Sequence, residues 1–180
     1  MKERKYKEDW VNETRFDDKG REKRVPVYKG AWYVSDGAGG GKARQALTAG
    51  LSCLAYWALL LVYFLLNFPG ATTLAVFLPA GLSLFPGLYW ALGAFAVFRT
   101  PEKMTRLQKE NGPGRVLRSS AACCALMLLA ALCDGVFVVF QGKAQAEWPG
   151  LLILLSAACV GCFALRYFRD VLNHLAERSQ

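Results

Sequence analysis

The chain has 180 residues, 54% of them hydrophobic, 20% charged, and a net charge of +8. A soluble domain this basic would suggest nucleic acid. Here the apolar content, the topology of basic loops and attraction to anionic headgroups account for the charge, so no nucleic-acid partner is expected. One histidine, six cysteines that all fall inside apolar runs, no paired intramembrane acids and no Gly-x-Ser-x-Gly leave no expected catalytic residue, metal or cofactor, and no extracellular disulfide framework.

Residues 1–44 form a basic and aromatic segment ahead of the first apolar run. Two strand-like stretches, 9–16 and 21–34, flank Asp17-Asp18-Lys19-Gly20, and together they predict a β-hairpin. Pro26 suits an edge position and leaves such a ribbon open to strand addition. The same composition also fits a charge-balanced disordered tail, and the two readings stand side by side. Trp10, Phe16, Tyr28, Trp32 and Tyr33 are the candidate contacts to a cytoplasmic protein or to anionic lipid. Gly37-Ala38-Gly39-Gly40-Gly41-Lys42 has three rather than four residues between its outer glycines, and Ala43 follows the lysine where a phosphate loop needs Ser or Thr. It reads as a hinge.

A bilayer core about 30 Å thick is crossed by roughly 20 apolar helical residues. Residues 46–68, 72–98, 116–140 and 148–168 meet that length, which predicts an all-α four-transmembrane-helix bundle over 45–169. Lys and Arg number twelve before the first run, none between the first and second, six from Arg99 to Arg118, one (Lys143) between the third and fourth, and three from Arg166 onward. That asymmetry predicts a plasma-membrane protein with both termini and the 99–118 loop cytoplasmic, and with short outer turns at 67–71 and 141–147. The first run lies too far from Met1 for a cleaved signal peptide and is expected to remain as an anchor.

In the basic loop, Thr100-Pro101-Glu102 reads as N-cap, first helical position and dipole-matching acid of a short helix through Lys109. Met104 and Leu107 would rest on the interface while Lys103, Arg106 and Lys109 meet phosphates; a solvated connector is the other reading. In residues 170–180, Leu165, Phe168, Leu172 and Leu175 continue a 3-4-3 seam, predicting that the fourth helix runs past the membrane. His174 is expected to pair with Asp170 or Arg178 on a solvated face.

Asp134 is the lone ionisable acid or base well inside a run, roughly 9 Å below the outer boundary at 1.5 Å per residue. The same depth reaches Tyr63 on the first run, Leu78 and Pro79 on the second, and Leu154 to Ser156 on the fourth. Pro79 frees the Ala75 carbonyl, and Tyr63 offers a hydroxyl, so Asp134, Tyr63 and Pro79 form a candidate polar site. A single buried carboxylate among four short helices resembles, in logic, the small multidrug transporters, although there the acid is a Glu on the first helix and the chain is far shorter outside the membrane. A helix-packing Asp is the structural alternative.

Pro79, Pro86 and nearby glycines break the second run chemically. Small-xxx-small pairs at Ala46/Gly50, Ser83/Gly87, Ala131/Gly135 and Ala157/Gly161 predict a close-packing face on every span. Cys159 and Cys162 form a CxxC that resembles the four-helix quinone-coupled oxidoreductases related to vitamin K epoxide reductase. Those proteins also have a loop-borne cysteine pair near the outer surface, which this sequence lacks, and Cys159 falls near mid-membrane where a thiolate is poorly solvated. Packing is the expected use of these cysteines. The leading functional expectation is a non-enzymatic accessory or scaffold subunit that contacts membrane lipids and forms a homo-oligomer or joins another membrane subunit. A small oligomeric transporter or channel using Asp134 is second, and a membrane thiol oxidoreductase using Cys159 and Cys162 third.

Overall fold

The computed structural model describes residues 8–16, 22–35, 41–141 and 144–178. In chain order they form β1 (Trp10–Phe16), β2 (Glu22–Tyr28), β3 (Trp32–Ser35), α1 (Lys42–Leu66), α2 (Leu74–Leu82), α3 (Leu84–Arg99), β4 (Lys103–Met104), α4 (Arg106–Asn111), α5 (Pro113–Gln141), α6 (Ala144–Asn173) and β5 (Leu175–Arg178). Four helical stretches, Lys42–Leu66, Leu74–Arg99, Arg106–Phe140 and Trp148–Asn173, are long and apolar enough to cross a membrane. The expected turn at 141–147 shrinks, because α5 continues to Gln141 and α6 starts at Ala144.

The four stretches pack as a ring: α1 against α6 and α3, and α5 against α6, α3 and α2. The core along the axis holds Tyr56, Leu60, Tyr63, Trp90, Met127, Leu154 and Phe168, all essentially inaccessible. Exposed Leu, Val and Phe side chains cover the outside, as expected for helices whose outer surface meets acyl chains rather than water. At one end α1 stops at Asn67, whose φ of 47° is the left-handed conformation that asparagine tolerates. The following 3-10 turn, Pro69–Thr72, folds inward over the bundle and contacts α5 and α6. Phe68 is held there against Tyr63 (centroids 5.9 Å) and against Gly150, where a Cβ would meet the Phe68 ring at 3.0 Å.

The second span breaks at Ser83, between its two prolines. Pro86 has no N–H for the Leu82 carbonyl, so the helix restarts at Leu84 with Pro86 in its first turn, where a missing N–H costs nothing. Pro79 is carried inside α2. The Ser83 hydroxyl turns back to the Ala80 carbonyl (2.6 Å), and the Cys123 thiol of α5 donates to the Ser83 carbonyl (3.8 Å).

Three of the four expected small-residue faces are close contacts. A Cβ on Gly50 would meet the Phe98 ring at 3.2 Å, on Gly87 the Tyr56 and Trp57 rings at 3.2 Å, and on Gly161 the Cys124 Cβ at 3.1 Å. Gly135 differs: nothing lies within 4 Å of its Cβ direction, because Ala131 and Asp134 face the core and Gly135 rotates off it. Gly93, which belongs to none of the four pairs, is a close approach between α3 and α5, with Val116 N 3.1 Å from its Cβ position.

The other end of the bundle carries a cap. β1 and β2 form the expected antiparallel ribbon, pairing Trp10 with Tyr28 through Phe16 with Glu22; its turn at 17–21 lies outside the described residues, as do 36–40 of the expected hinge. The stretch read as one second strand, 21–34, is two. Chain beyond Tyr28 turns at Gly30, and β3 joins a different sheet of order β4-β3-β5, with Tyr33 opposite Met104 and Val34 opposite Ala176. Three expectations are corrected here. Thr100 caps the end of α3, its hydroxyl bonded to the Ala96 carbonyl at 2.6 Å, while Thr105 is the N-cap of α4 and forms a capping box with Gln108. Met104 is buried in the sheet rather than resting at an interface. The fourth helix does run past Phe168 but ends at Asn173: Leu175, last of the 3-4-3 seam, starts β5, since a central β3 flanked only by the two-residue β4 would leave a row of backbone donors and acceptors unpaired.

Candidate functional site

Two regions hold the residues singled out by the sequence. The first is the capped end, where the basic residues gather. Tyr28 is its keystone: it is 9% exposed, donates a hydrogen bond from its hydroxyl to the Ala31 carbonyl (3.0 Å) and accepts one from the Arg106 N–H (3.3 Å). Its ring meets Trp10 and Trp32 edge-on at 5.3 and 5.1 Å, which ties the ribbon to the start of β3 and to α4. Such pairs add about 0.5–1.5 kcal/mol beyond area burial. Tyr28 and Trp32 are thereby committed within the chain. Phe16, on the same ribbon face, stands six residues from Trp10, about 20 Å at 3.3–3.4 Å per residue, and is 71% exposed.

Tyr33 packs its ring beneath the Lys109 ammonium (4.0 Å). With Arg106, Glu110 and Arg118 these two residues line a groove between β3, α4 and α5; Lys103 lies outside it, exposed on β4. A cleft of about 190 Å³ runs beneath the sheet between Val34, Gln45, Val97, Thr100 and Pro113, smaller than the ~300–1,000 Å³ of ordinary small-molecule sites. His174 is exposed and its Nδ1 lies 3.0 Å from the Asp170 backbone carbonyl, where pairing with the side chain of Asp170 or Arg178 was expected. Among the described residues no three His, Cys, Asp or Glu side chains cluster to hold a metal.

The second region lies in the bundle. Asp134 is wholly inaccessible, as is Tyr63, and Pro79 is buried. Tyr63 belongs to the same buried core as Ala130, Ala131 and Leu154, and Pro79 of α2 and Cys133 of α5 border one groove. The groove that Pro79 and Cys133 border is apolar and opens outward, and Asp134 is not part of its lining. Nearer the capped end, seven residues before Tyr63 on α1 and eleven before Asp134 on α5, lies a second buried group that the sequence did not single out: Tyr56, Trp90, Ser83 and Cys123 surround the helix break, with Tyr56 and Trp90 rings 5.4 Å apart. Its signal was the proline pair itself, since a break inside a bundle needs polar side chains beside it.

Cys159 and Cys162 both point out of the bundle, while Cys53 and Cys123 are buried; all six thiols are free. Packing therefore describes Cys53 and Cys123, and the CxxC lies on the outer face because Ala157, Ala158, Gly161 and Ala164 occupy the inner one. No protein-family model matches the chain, no curated protein matches its sequence, and no solved structure matches its fold.

Proposed function

We propose that the chain is a non-enzymatic accessory or scaffold subunit of a membrane assembly, its capped end in the cytoplasm of a plasma-membrane protein and its β1–β2 ribbon the contact to a partner protein. The observation that carries this reading is the ribbon's division of labour. Tyr28 anchors one end within the fold, while Val11 and Phe16 remain 41% and 71% exposed on strands that have no neighbour beyond each other among the described residues. A two-stranded ribbon is marginal alone in water, so a ribbon held out from its base gains most from added strand pairing and cover for its apolar side chains. Twelve of the 22 basic residues precede the first span and three follow Leu165, and the pairing of β3 with β5 puts the strand before α1 and the strand after α6 on one side of the bundle, which supports the cytoplasmic orientation.

Co-purification in mild detergent tests it. The pair Val11→Thr and Phe16→Ser leaves Tyr28 and its contacts in place, and is expected to lower partner recovery by about tenfold or more, the loss of one interface anchor. Undiminished recovery with normal insertion would sink the reading.

The transporter alternative rests on Asp134. A carboxylate at the centre of a span costs about 2.5–3.5 kcal/mol on insertion scales, less at the shallower depth of Asp134, and burial inside the bundle turns this acid away from acyl chains. On the subunit reading, Asp134→Asn is expected to keep assembly and partner recovery intact; an ion or proton flux in vesicles that Asn abolishes would transfer the function to this residue.

A further inference from the structure

We infer that the groove between α3 and α5 at the capped end is a binding site for the headgroup phosphate and first acyl carbons of an anionic phospholipid. Gly93 brings α5 so close to α3 that its Cβ position would lie 3.3 Å from Arg115 Cγ, so Arg115 leaves its helix along the surface of α3. Its guanidinium stands 5.6 Å from the Tyr89 ring centroid and is steadied by one bond from Nη2 to Asn111 Oδ1 (3.2 Å). Arg118, one turn on, is steadied in the same way, Nε donating to the Gly114 carbonyl (3.2 Å). Both guanidinia line the groove and retain further N–H donors suited to a phosphate's oxygens.

Charge and depth name the occupant. The groove holds two arginines and the single carboxylate of Glu110, and through Arg118 and Glu110 it continues into the groove of Arg106 and Lys109. Gly93 is six residues before Arg99, so Arg115 meets α3 about 9 Å inside the helix end, where a fixed cation is better matched by an anion than by acyl chains. Phe85 lies one turn, about 6 Å, deeper than Tyr89, and Ala122 about 10 Å past Arg115, so the groove passes from cationic to apolar in the direction in which a lipid passes from phosphate to chain. A free phosphate has no use for that second half.

The test uses the full chain in a neutral detergent, titrated by native mass spectrometry with phosphatidylglycerol, with phosphatidylcholine and with inorganic phosphate. Phosphatidylglycerol is expected to bind about tenfold or more tightly than phosphatidylcholine, and millimolar inorganic phosphate to leave it in place. Arg115→Gln with Arg118→Gln should erase the preference, whereas Arg166→Gln with Arg169→Gln, an equal loss of charge at the end of α6, should keep it. Equal binding of the two lipids, a preference that survives in the Arg115/Arg118 pair, or displacement by inorganic phosphate would each overturn the assignment. If the pair does not elute as a single species, Arg118→Gln alone is expected to lose at least threefold of the preference, and an unchanged preference there overturns it equally. Partner recovery through the ribbon is a separate readout and is indifferent to this result.

Discussion

Leucine in place of Gly161 is expected to force α5 and α6 apart and to destabilise the bundle by about 3 kcal/mol or more, at the upper end of what overpacking costs. The site leaves no soft way out. The atoms that a Cβ would meet are Cys124 Cβ at 3.1 Å and the Cys124 Cα and N at 3.3 Å, so the obstacle is the backbone of α5 and not the end of a mobile side chain. Without a hydrophobic driving force between spans, helices in a bilayer hold together by contact itself, and a crossing opened by one leucine forfeits the dispersion of every neighbour along it. Gly135→Leu is the control. It sits on the same helix as Cys124 with open space around its Cβ direction, and is expected to change stability by less than about 0.5 kcal/mol. Size-exclusion recovery after heating in detergent reads both; equal midpoints for the two variants would show that the α5–α6 crossing at Gly161 is not a tight contact.

That contrast marks how far the sequence was legible. Apolar runs of span length announce themselves one helix at a time, since burying every backbone group inside a single element is a local requirement, and the four helical stretches coincide with them. Small-residue pairs predict that a face packs but not which partner it meets. Ala131 and Gly135 have the right spacing, yet the turn also carries Asp134, which takes the inward position and leaves Gly135 outside. Asp134 itself was legible, as an isolated acid in an apolar run must be turned from lipid. Arg115 and Arg118 were counted only as topology charges; the groove they line depends on where Gly93 lets two helices touch, a contact 22 residues apart in the chain.

The cap was illegible for a different reason. β4 is two residues long and β5 is Leu-Ala-Glu-Arg, a stretch whose intrinsic preference is helical, and neither becomes a strand except by pairing with β3 across 69 and 140 residues of chain respectively, from Val34 to Lys103 and from Ser35 to Leu175. Tertiary pairing overrides propensity there, and no window of sequence contains both partners. The ribbon β1–β2, whose strands adjoin in the chain, was by contrast one of two readings open from its strand-forming residues and the turn between them, the other being a disordered tail.

The cap is therefore expected to stand or fall on β3, and Val34→Pro is its sharpest probe. Val34 is in the middle strand of the three, opposite Lys103 on one side and Ala176 on the other. Proline there removes a ladder N–H and sets φ near −65°, which a central strand does not accommodate. Once β3 leaves, β4 and β5 have no other partner among the described residues, so the segments before α1, between α3 and α4, and after α6 should loosen together. Amides of 103–104 and 175–178 are expected to exchange with deuterium at least about tenfold faster, the loss of roughly 1.4 kcal/mol of local protection. Amides in the cores of α5 and α6 should keep their rates, because the ring of spans is held by its own contacts. A proline variant whose 175–178 amides exchange as slowly as before would mean that the C-terminal strand is held by something other than β3. A variant that also released α5 and α6 would make the cap a condition of the bundle rather than a lid upon it, and would move the origin of the fold's stability from the spans to the sheet.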